Sequence, residues 1–160
     1  MLTEPQIIAD IFNNARGLTR WYLKKMSDEQ LMVRPVYDGK TFNSAYWEQA
    51  HLAWAEAFLL IRSTGGEVPP IGWLQQFGIG ANPDAIKDAP DLETLRSDFA
   101  SIHETAMNHV RQLDPESLGE ASGVPMFATR RIALYHAIRH EATHTGHLGW
   151  LCKMHGVGTV

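Results

Sequence analysis

The clearest chemical signal in the chain is a run of histidines near the C-terminus. Residues 140–147 read HEATHTGH, so His140 and His144 stand four positions apart. On an α-helix this spacing puts both imidazoles on one face, one turn apart, where they can bind a single ion. His136 and His147 extend the same stripe by a turn in each direction. The pattern predicts a transition-metal site, and imidazole suits zinc, nickel, copper or iron.

Two ligands from one helix require a third from elsewhere, and His51 is the best candidate. It lies on the apolar flank of a predicted helix, between Trp47 and Trp54, where an unpaired polar ring would be costly. A histidine held in the core by hydrogen bonds is the open alternative for this position. Three neutral histidines would leave coordination positions free for water or substrate, which is the pattern of a catalytic metal site.

The segment HEATH also matches HExxH, the short signature of zinc proteases. The extended signature needs a glycine three residues after the second histidine and a third histidine three residues later. This chain has His147 and Trp150 at those positions, and it has no predicted strand that could bind a peptide. A protease is therefore disfavoured. Glu141 lies about a quarter turn off the face of His140 and His144, so we interpret it as support for a ligand or as a solvated acid.

Helical periodicity predicts the elements that must position these residues. Apolar residues recur at steps of three and four in four segments, residues 4–26, 44–62, 91–113 and 129–155. No segment reads convincingly as a strand, and Pro35, Asp38 and Gly39 indicate a loop. Residues 63–90 are rich in proline and glycine and too long for a tight helical hairpin. We predict an all-α four-helix bundle, one domain over residues 1–160, with a long crossover between helices 2 and 3.

Composition excludes several functional classes. The chain has 160 residues, of which 44% are hydrophobic and 20% charged, as in ordinary globular domains. A net charge of −4 without a basic run argues against nucleic acid as a partner. Cys152 is the single cysteine, so a disulfide framework is excluded, and we interpret it as a structural thiol. With no signal-peptide pattern and no long apolar run, we expect a cytoplasmic protein that does not bind membranes.

Two segments resemble one known family. RIALYHAIRHEATHTGHLGWLCKMHG resembles the last helix of the DinB/YfiT-like proteins, and TFNSAYWEQAHLAWAEAFLL resembles their second helix. The resemblance implies a four-helix bundle, often a homodimer, and a divalent metal, commonly zinc or nickel. It assigns the metal ligands to His51, His140 and His144. His147 stands where the family usually has glutamine. We interpret it as a residue of the pocket wall or a support for a ligand, and His136 as a pocket or core histidine.

The resemblance also suggests chemistry. Relatives include thiol-dependent S-transferases and isomerases, in which the metal activates a low-molecular-weight thiol, and proteins described as metal-dependent hydrolases. The leading hypothesis is therefore a transferase or hydrolase acting on a small molecule. The alternative is a non-catalytic bundle with a binding or stress-response role, in which the metal only stabilises the fold. A DNA-associated protein is a third hypothesis, which the negative charge disfavours. We interpret His103 and His109 as surface residues.

Overall fold

The computed structural model describes residues 1–159, and these form an all-α bundle, as predicted. The helices are α1 (Glu4–Lys25), α2 (Asp28–Met32), α3 (Ala45–Glu56), α4 (Leu92–Arg111) and α5 (Arg130–Met154). α3 continues as a π-helical turn, Ala57–Ile61, and a 3₁₀ turn, Arg62–Thr64. Further 3₁₀ turns are Leu74–Phe77, Pro83–Ala85 and Pro115–Gly119. α2 is a short turn, so α1, α3, α4 and α5 are the four helices of the bundle.

Side-chain caps explain where the long helices begin. The Ser44 hydroxyl accepts a hydrogen bond from the amide of Trp47, and the Asp91 carboxylate accepts one from the amide of Thr94. Thr129 caps α5 in the same way. Each cap satisfies an amide that has no partner inside its helix. Gly65 ends the second bundle helix at a φ of 86°, a backbone conformation that glycine adopts without steric cost.

Each of the four long helices of the bundle packs against two others. α1 packs against α5 and α4, and α3 packs against α4 and α5. Buried aliphatic and aromatic side chains fill the space between them, including Phe12, Leu52, Ile102 and Leu134. The crossover before α4 also packs inward, because Leu74 and Phe77 are fully buried against α3. This arrangement brings the histidine-bearing faces of α3 and α5 together.

The prediction of no strand is wrong at one place. β1 (Val36–Tyr37) and β2 (Lys40–Thr41) form a small antiparallel hairpin. Asp38 and Gly39 connect the strands with φ values of 49° and 70°. A two-residue hairpin turn of this type needs positive φ at both positions, and Asp-Gly is a preferred pair for it. Each strand has only two residues, too few to produce a recognisable alternation.

Candidate metal centre

The structure brings His51, His140 and His144 together between α3 and α5. Their nearest ring nitrogens all lie within 4.8 Å of one another. Nε2 of His51 is 3.3 Å from Nε2 of His140. The ring centroids of His140 and His144 are 4.4 Å apart, as expected for neighbours one helical turn apart. The three side chains therefore point their nitrogens at one small volume.

Backbone and aromatic contacts fix the orientation of His51. Its Nδ1 donates a hydrogen bond of 2.7 Å to the carbonyl oxygen of Phe77. Because a carbonyl only accepts, Nδ1 carries the proton and Nε2 presents a lone pair to the other histidines. Trp47 stacks on the imidazole at a centroid distance of 4.8 Å, and Trp54 does so at 5.6 Å. His51 is thus hydrogen-bonded in the core through Nδ1, and its Nε2 faces His140.

A buried carboxylate, Glu48, holds His144 in the same way. Nδ1 of His144 donates to Oε2 of Glu48, which is 4% exposed. Burial raises the pKa of Glu48, but the hydrogen bonds from His144 and His147 outweigh burial and bring the pKa to about 2. The ionised carboxylate fixes the tautomer of His144, so that Nε2 is free to bind an ion. Glu48 was not predicted from the sequence, although it lies three residues before His51 on the same helix.

The separation between Nε2 of His51 and Nε2 of His140 is compatible with a shared divalent cation. Two imidazole nitrogens bound at roughly 2.0–2.1 Å to one tetrahedral ion stand about 3.3 Å apart, by simple trigonometry. This matches the separation of 3.3 Å between His51 and His140. Burial lowers the pKa of His51, and burial together with the neighbouring His144, His51 and His136 lowers the pKa of His140 to about 3. These rings are therefore neutral at pH 7, as metal ligands must be.

His147 lies at the edge of the cluster. Its Nδ1 is 3.5 Å from Oε1 of Glu48, and its side chain is half exposed. The hydrogen bond to Glu48 raises the pKa of His147. Glu48, His144 and His147 form a second group whose ligand atoms lie within 4.8 Å of one another. His147 also lines an adjacent cavity of about 290 Å³ with Pro35, Phe42, Asn43, Glu48, Trp150, Leu151 and Met154.

His136 lies one turn before the pair and outside both groups. Its ring packs against Phe127 at a centroid distance of 5.0 Å, and its Nδ1 hydrogen-bonds Arg139. The ring centroid of His140 is 5.9 Å away. His136 is therefore a neighbour of the cluster, on the side opposite His147.

The interpretation of Glu141 as a solvated acid is wrong. Its carboxylate is 1% exposed and accepts two hydrogen bonds from Arg16 and one from Thr19. Within residues 1–159 it makes no hydrogen bond to His51, His140 or His144. The quarter-turn offset from the histidine face directs Glu141 to α1, where a buried cation holds it. Glu141 therefore belongs to a separate ionic network in the bundle core.

His103, which we expected at the surface, belongs to the same buried network. It is 5% exposed, and its Nδ1 lies 2.7 Å from Oε1 of Glu56. Its Nε2 lies 2.9 Å from Oδ1 of Asn13. His109 is also partly buried and contacts the hydroxyl of Thr64. Both expectations failed because nothing in the sequence shows the polar partners, which come from α1, α3 and the 3₁₀ turn after α3. Cys152 is buried, as expected of a structural thiol.

Replacing Glu48 with glutamine is expected to weaken binding of a divalent ion about 10- to 100-fold, as losses of such supporting carboxylates do. The amide keeps the shape of the side chain but loses the charge that holds His144 in one tautomer. Competition with a chromogenic zinc chelator measures the affinity. The control is Glu104→Gln, which makes the same change at an exposed acid of α4. A change at the neighbouring position, Gln49→Glu, would add a buried acid and is unsuitable. Equal affinities for both variants would contradict this role of Glu48.

The lowered pKa of His140 predicts how the metal-free protein responds to acid. The folded pKa, about 3, is below the ordinary 6.5. The unfolded chain therefore binds more protons between these values, and stability falls as the pH drops through this window. His140 alone contributes at most about 1.4 kcal/mol per pH unit, and less because solvent partly screens the ring. Urea unfolding between pH 6.5 and 5 should show that the free energy of unfolding depends less steeply on pH in His140→Asn than in the wild type. An equal pH dependence in the two proteins would contradict this prediction.

A sequence model of the DinB superfamily matches residues 11–148, which include every residue of the histidine cluster. No curated protein matches the chain significantly. Among the described residues, no helix is both long enough and apolar enough to cross a membrane.

Proposed function

The chain belongs to the DinB superfamily, and from this premise we propose that it is a metal-dependent enzyme of the thiol-dependent S-transferase or hydrolase type. The observation that supports this most is the convergence of three imidazoles, of which two are held by hydrogen bonds in the tautomer that metal binding needs. His51, His140 and His144 are the proposed ligands. Zinc or nickel is the proposed ion, because both bind neutral imidazole well.

Three protein ligands leave room in the coordination sphere for a reactant. A divalent cation held there supplies Lewis acidity, which lowers the pKa of a bound thiol or water. The residues of the chain would then orient the bound thiol or water and accept its proton. Nδ1 of His147 faces Glu48, which leaves Nε2 of this half-exposed ring to accept a proton. The cavity beside His147 is mostly apolar, with Phe42, Trp150 and Met154 in its wall, and suits the carbon skeleton of a small substrate.

Metal analysis with an activity screen tests the proposal. Purified protein is expected to bind one zinc or nickel ion per chain, and low-molecular-weight thiols are expected to react with small electrophiles only when metal is present. Protein stripped by a chelator is the matched control. Stoichiometric metal that raises the melting temperature without any turnover would favour the non-catalytic alternative, a metal-stapled bundle. Absence of stoichiometric metal would contradict both.

We also propose that the protein is a cytoplasmic homodimer. Large apolar side chains are exposed on α1 and α5, the two helices in closest contact: Ile7, Ile11, Leu18, Ile132, Tyr135 and Trp150. Leu18 and Trp150 line one cavity of about 320 Å³ between these helices. An apolar face of this kind is typical of an interface between subunits. Sedimentation equilibrium of the wild type and of Leu18→Glu measures the association.

A further inference from the structure

A further cavity, larger than those beside His147 and between α1 and α5, lies away from the histidine cluster. It has a volume of about 610 Å³, which is within the range of small-molecule sites. The last turns of α1, the short α2, the start of α3 and the first half of α4 enclose it. It is lined by Arg20, Leu23, Lys24, Met26, Leu31, Gln49, Arg96, Phe99 and Ala100. None of these residues belongs to the proposed metal site or to the cavity beside His147.

The charges around this cavity are positive and only partly neutralised. Arg96 pairs with Asp28 at 2.6 Å. Arg20 and Lys24 form no ion pair with any acid in residues 1–159. Partial burial, together with the Arg16 guanidinium, lowers the pKa of Arg20, while the charges of Glu56 and Glu141 act in the opposite direction to a smaller extent. The cavity therefore offers two cations that lack a counter-charge in contact.

An amide in the cavity wall also lacks a protein partner. Gln49 is only 3% exposed, and none of the hydrogen bonds within the described residues uses its side chain. Its amide atoms are not among the solvent-inaccessible polar atoms that lack a partner, so they open onto the cavity, where a ligand or water can pair with them. The rest of the wall is apolar, because Leu23, Met26 and Phe99 are each less than 10% exposed. One end of a ligand would thus meet polar groups and the other end apolar ones.

We propose that this cavity binds a small amphipathic carboxylate, with its head group at Arg20, Lys24 and the Gln49 amide and its aliphatic chain against Met26, Leu31 and Phe99. The amide N–H of Gln49 donates to the carboxylate, and the two cations supply charge-assisted contacts. A neutral lipid would leave the cations uncompensated, and an inorganic anion would leave the apolar wall without contacts. This function is independent of metal binding, because the two sites share no residue.

Methionine methyl groups report which site a ligand occupies. Met26 lines this cavity, Met154 lines the cavity beside His147, and Met107 is buried in the core. With protein carrying ¹³C-methyl methionine, a titration with decanoate is expected to shift the Met26 resonance and leave Met107 unchanged. Decan-1-ol has the aliphatic chain without a charge, and inorganic phosphate has negative charge without a chain. Each is expected to bind at least about tenfold more weakly than decanoate. Equal binding of decan-1-ol, or a shift confined to Met154, would overturn the proposal.

Two substitutions test the polar groups one by one. Lys24→Met and Gln49→Leu are each expected to weaken decanoate binding roughly tenfold, since each removes a group that contacts the charged head. Lys87→Met removes an exposed cation outside the cavity and is the matched control for charge. His140→Ala is expected to keep full decanoate affinity, which separates this site from the metal site. Wild-type affinity in both Lys24→Met and Gln49→Leu would overturn the proposal, with circular dichroism confirming that each variant is folded.

Discussion

Replacing Arg16 with methionine should lower the free energy of unfolding by about 3–5 kcal/mol, the usual cost of removing one partner from a buried ion pair. Arg16 is fully buried and contacts two carboxylates that are also buried. Its Nη1 lies 2.7 Å from Oε2 of Glu56, and its Nε and Nη2 bind Glu141 at 2.7 and 2.9 Å. Methionine fills the space but leaves both acids without a cation. Urea unfolding of the metal-free protein, followed by circular dichroism, measures the change.

Two controls separate the network from a general effect of losing an arginine. Arg111 pairs with Asp10 at the surface at 3.0 Å, and Arg111→Met is expected to cost at most about 1 kcal/mol. Combining Arg16→Met with Glu56→Gln and Glu141→Gln removes the unpaired charges and is expected to recover part of the lost stability. A single Arg16→Met variant as stable as Arg111→Met would show that water reaches the two acids and that the network contributes little.

The network connects the helices that carry the proposed ligands. Glu56 ends α3, which carries His51, and Glu141 follows His140 directly on α5. Arg16 on α1 binds both, while the Phe99 ring on α4 packs 4.2 Å from its guanidinium carbon. All four long helices thus contribute a residue to the ionic network around Arg16. Because ion pairs depend on direction more than apolar contacts do, the pairs of Arg16 with Glu56 and Glu141 help to fix the position of α3 relative to α5.

The fold and the proximity of His140 and His144 were predictable because local patterns determine them. Helical periodicity predicted the four long helices, and the spacing of His140 and His144 put both on one face whatever the tertiary structure. The third position was predictable only in part. The flanking tryptophans indicated that His51 is buried, but its assignment as a ligand came from the family resemblance.

The residues that the sequence did not reveal depend on contacts between helices. Arg16 lies among the apolar residues of α1 and has no local feature that distinguishes it from a surface arginine. Its burial follows from Glu56 and Glu141, which are 40 and 125 positions away. Glu48 is similar, because its partner His144 is 96 residues distant. Single-sequence patterns report on neighbours within a few turns, so polar networks between helices remain hidden from them.

Replacing His140 with alanine should weaken metal binding by more than about 100-fold, because losing a supporting residue alone costs about 10- to 100-fold. His140 contacts both other histidines: its Nε2 lies 3.3 Å from Nε2 of His51, and its ring centroid lies 4.4 Å from that of His144. Alanine removes one of the three nitrogens and keeps the helix intact, since it has the highest helix propensity. Metal content after dialysis, with affinity from chelator competition, measures the loss.

His136→Ala is the matched control for this substitution. It removes an imidazole from the same helix, one turn earlier and outside both groups of candidate ligands, so it is expected to keep one ion per chain. His51→Ala and His147→Ala then distinguish the two groups that share His144. Loss of the ion in His51→Ala with retention in His147→Ala is the result expected if His51, His140 and His144 are the ligands. The opposite result would assign the ion to Glu48, His144 and His147, and retention in His140→Ala would contradict the three-histidine site.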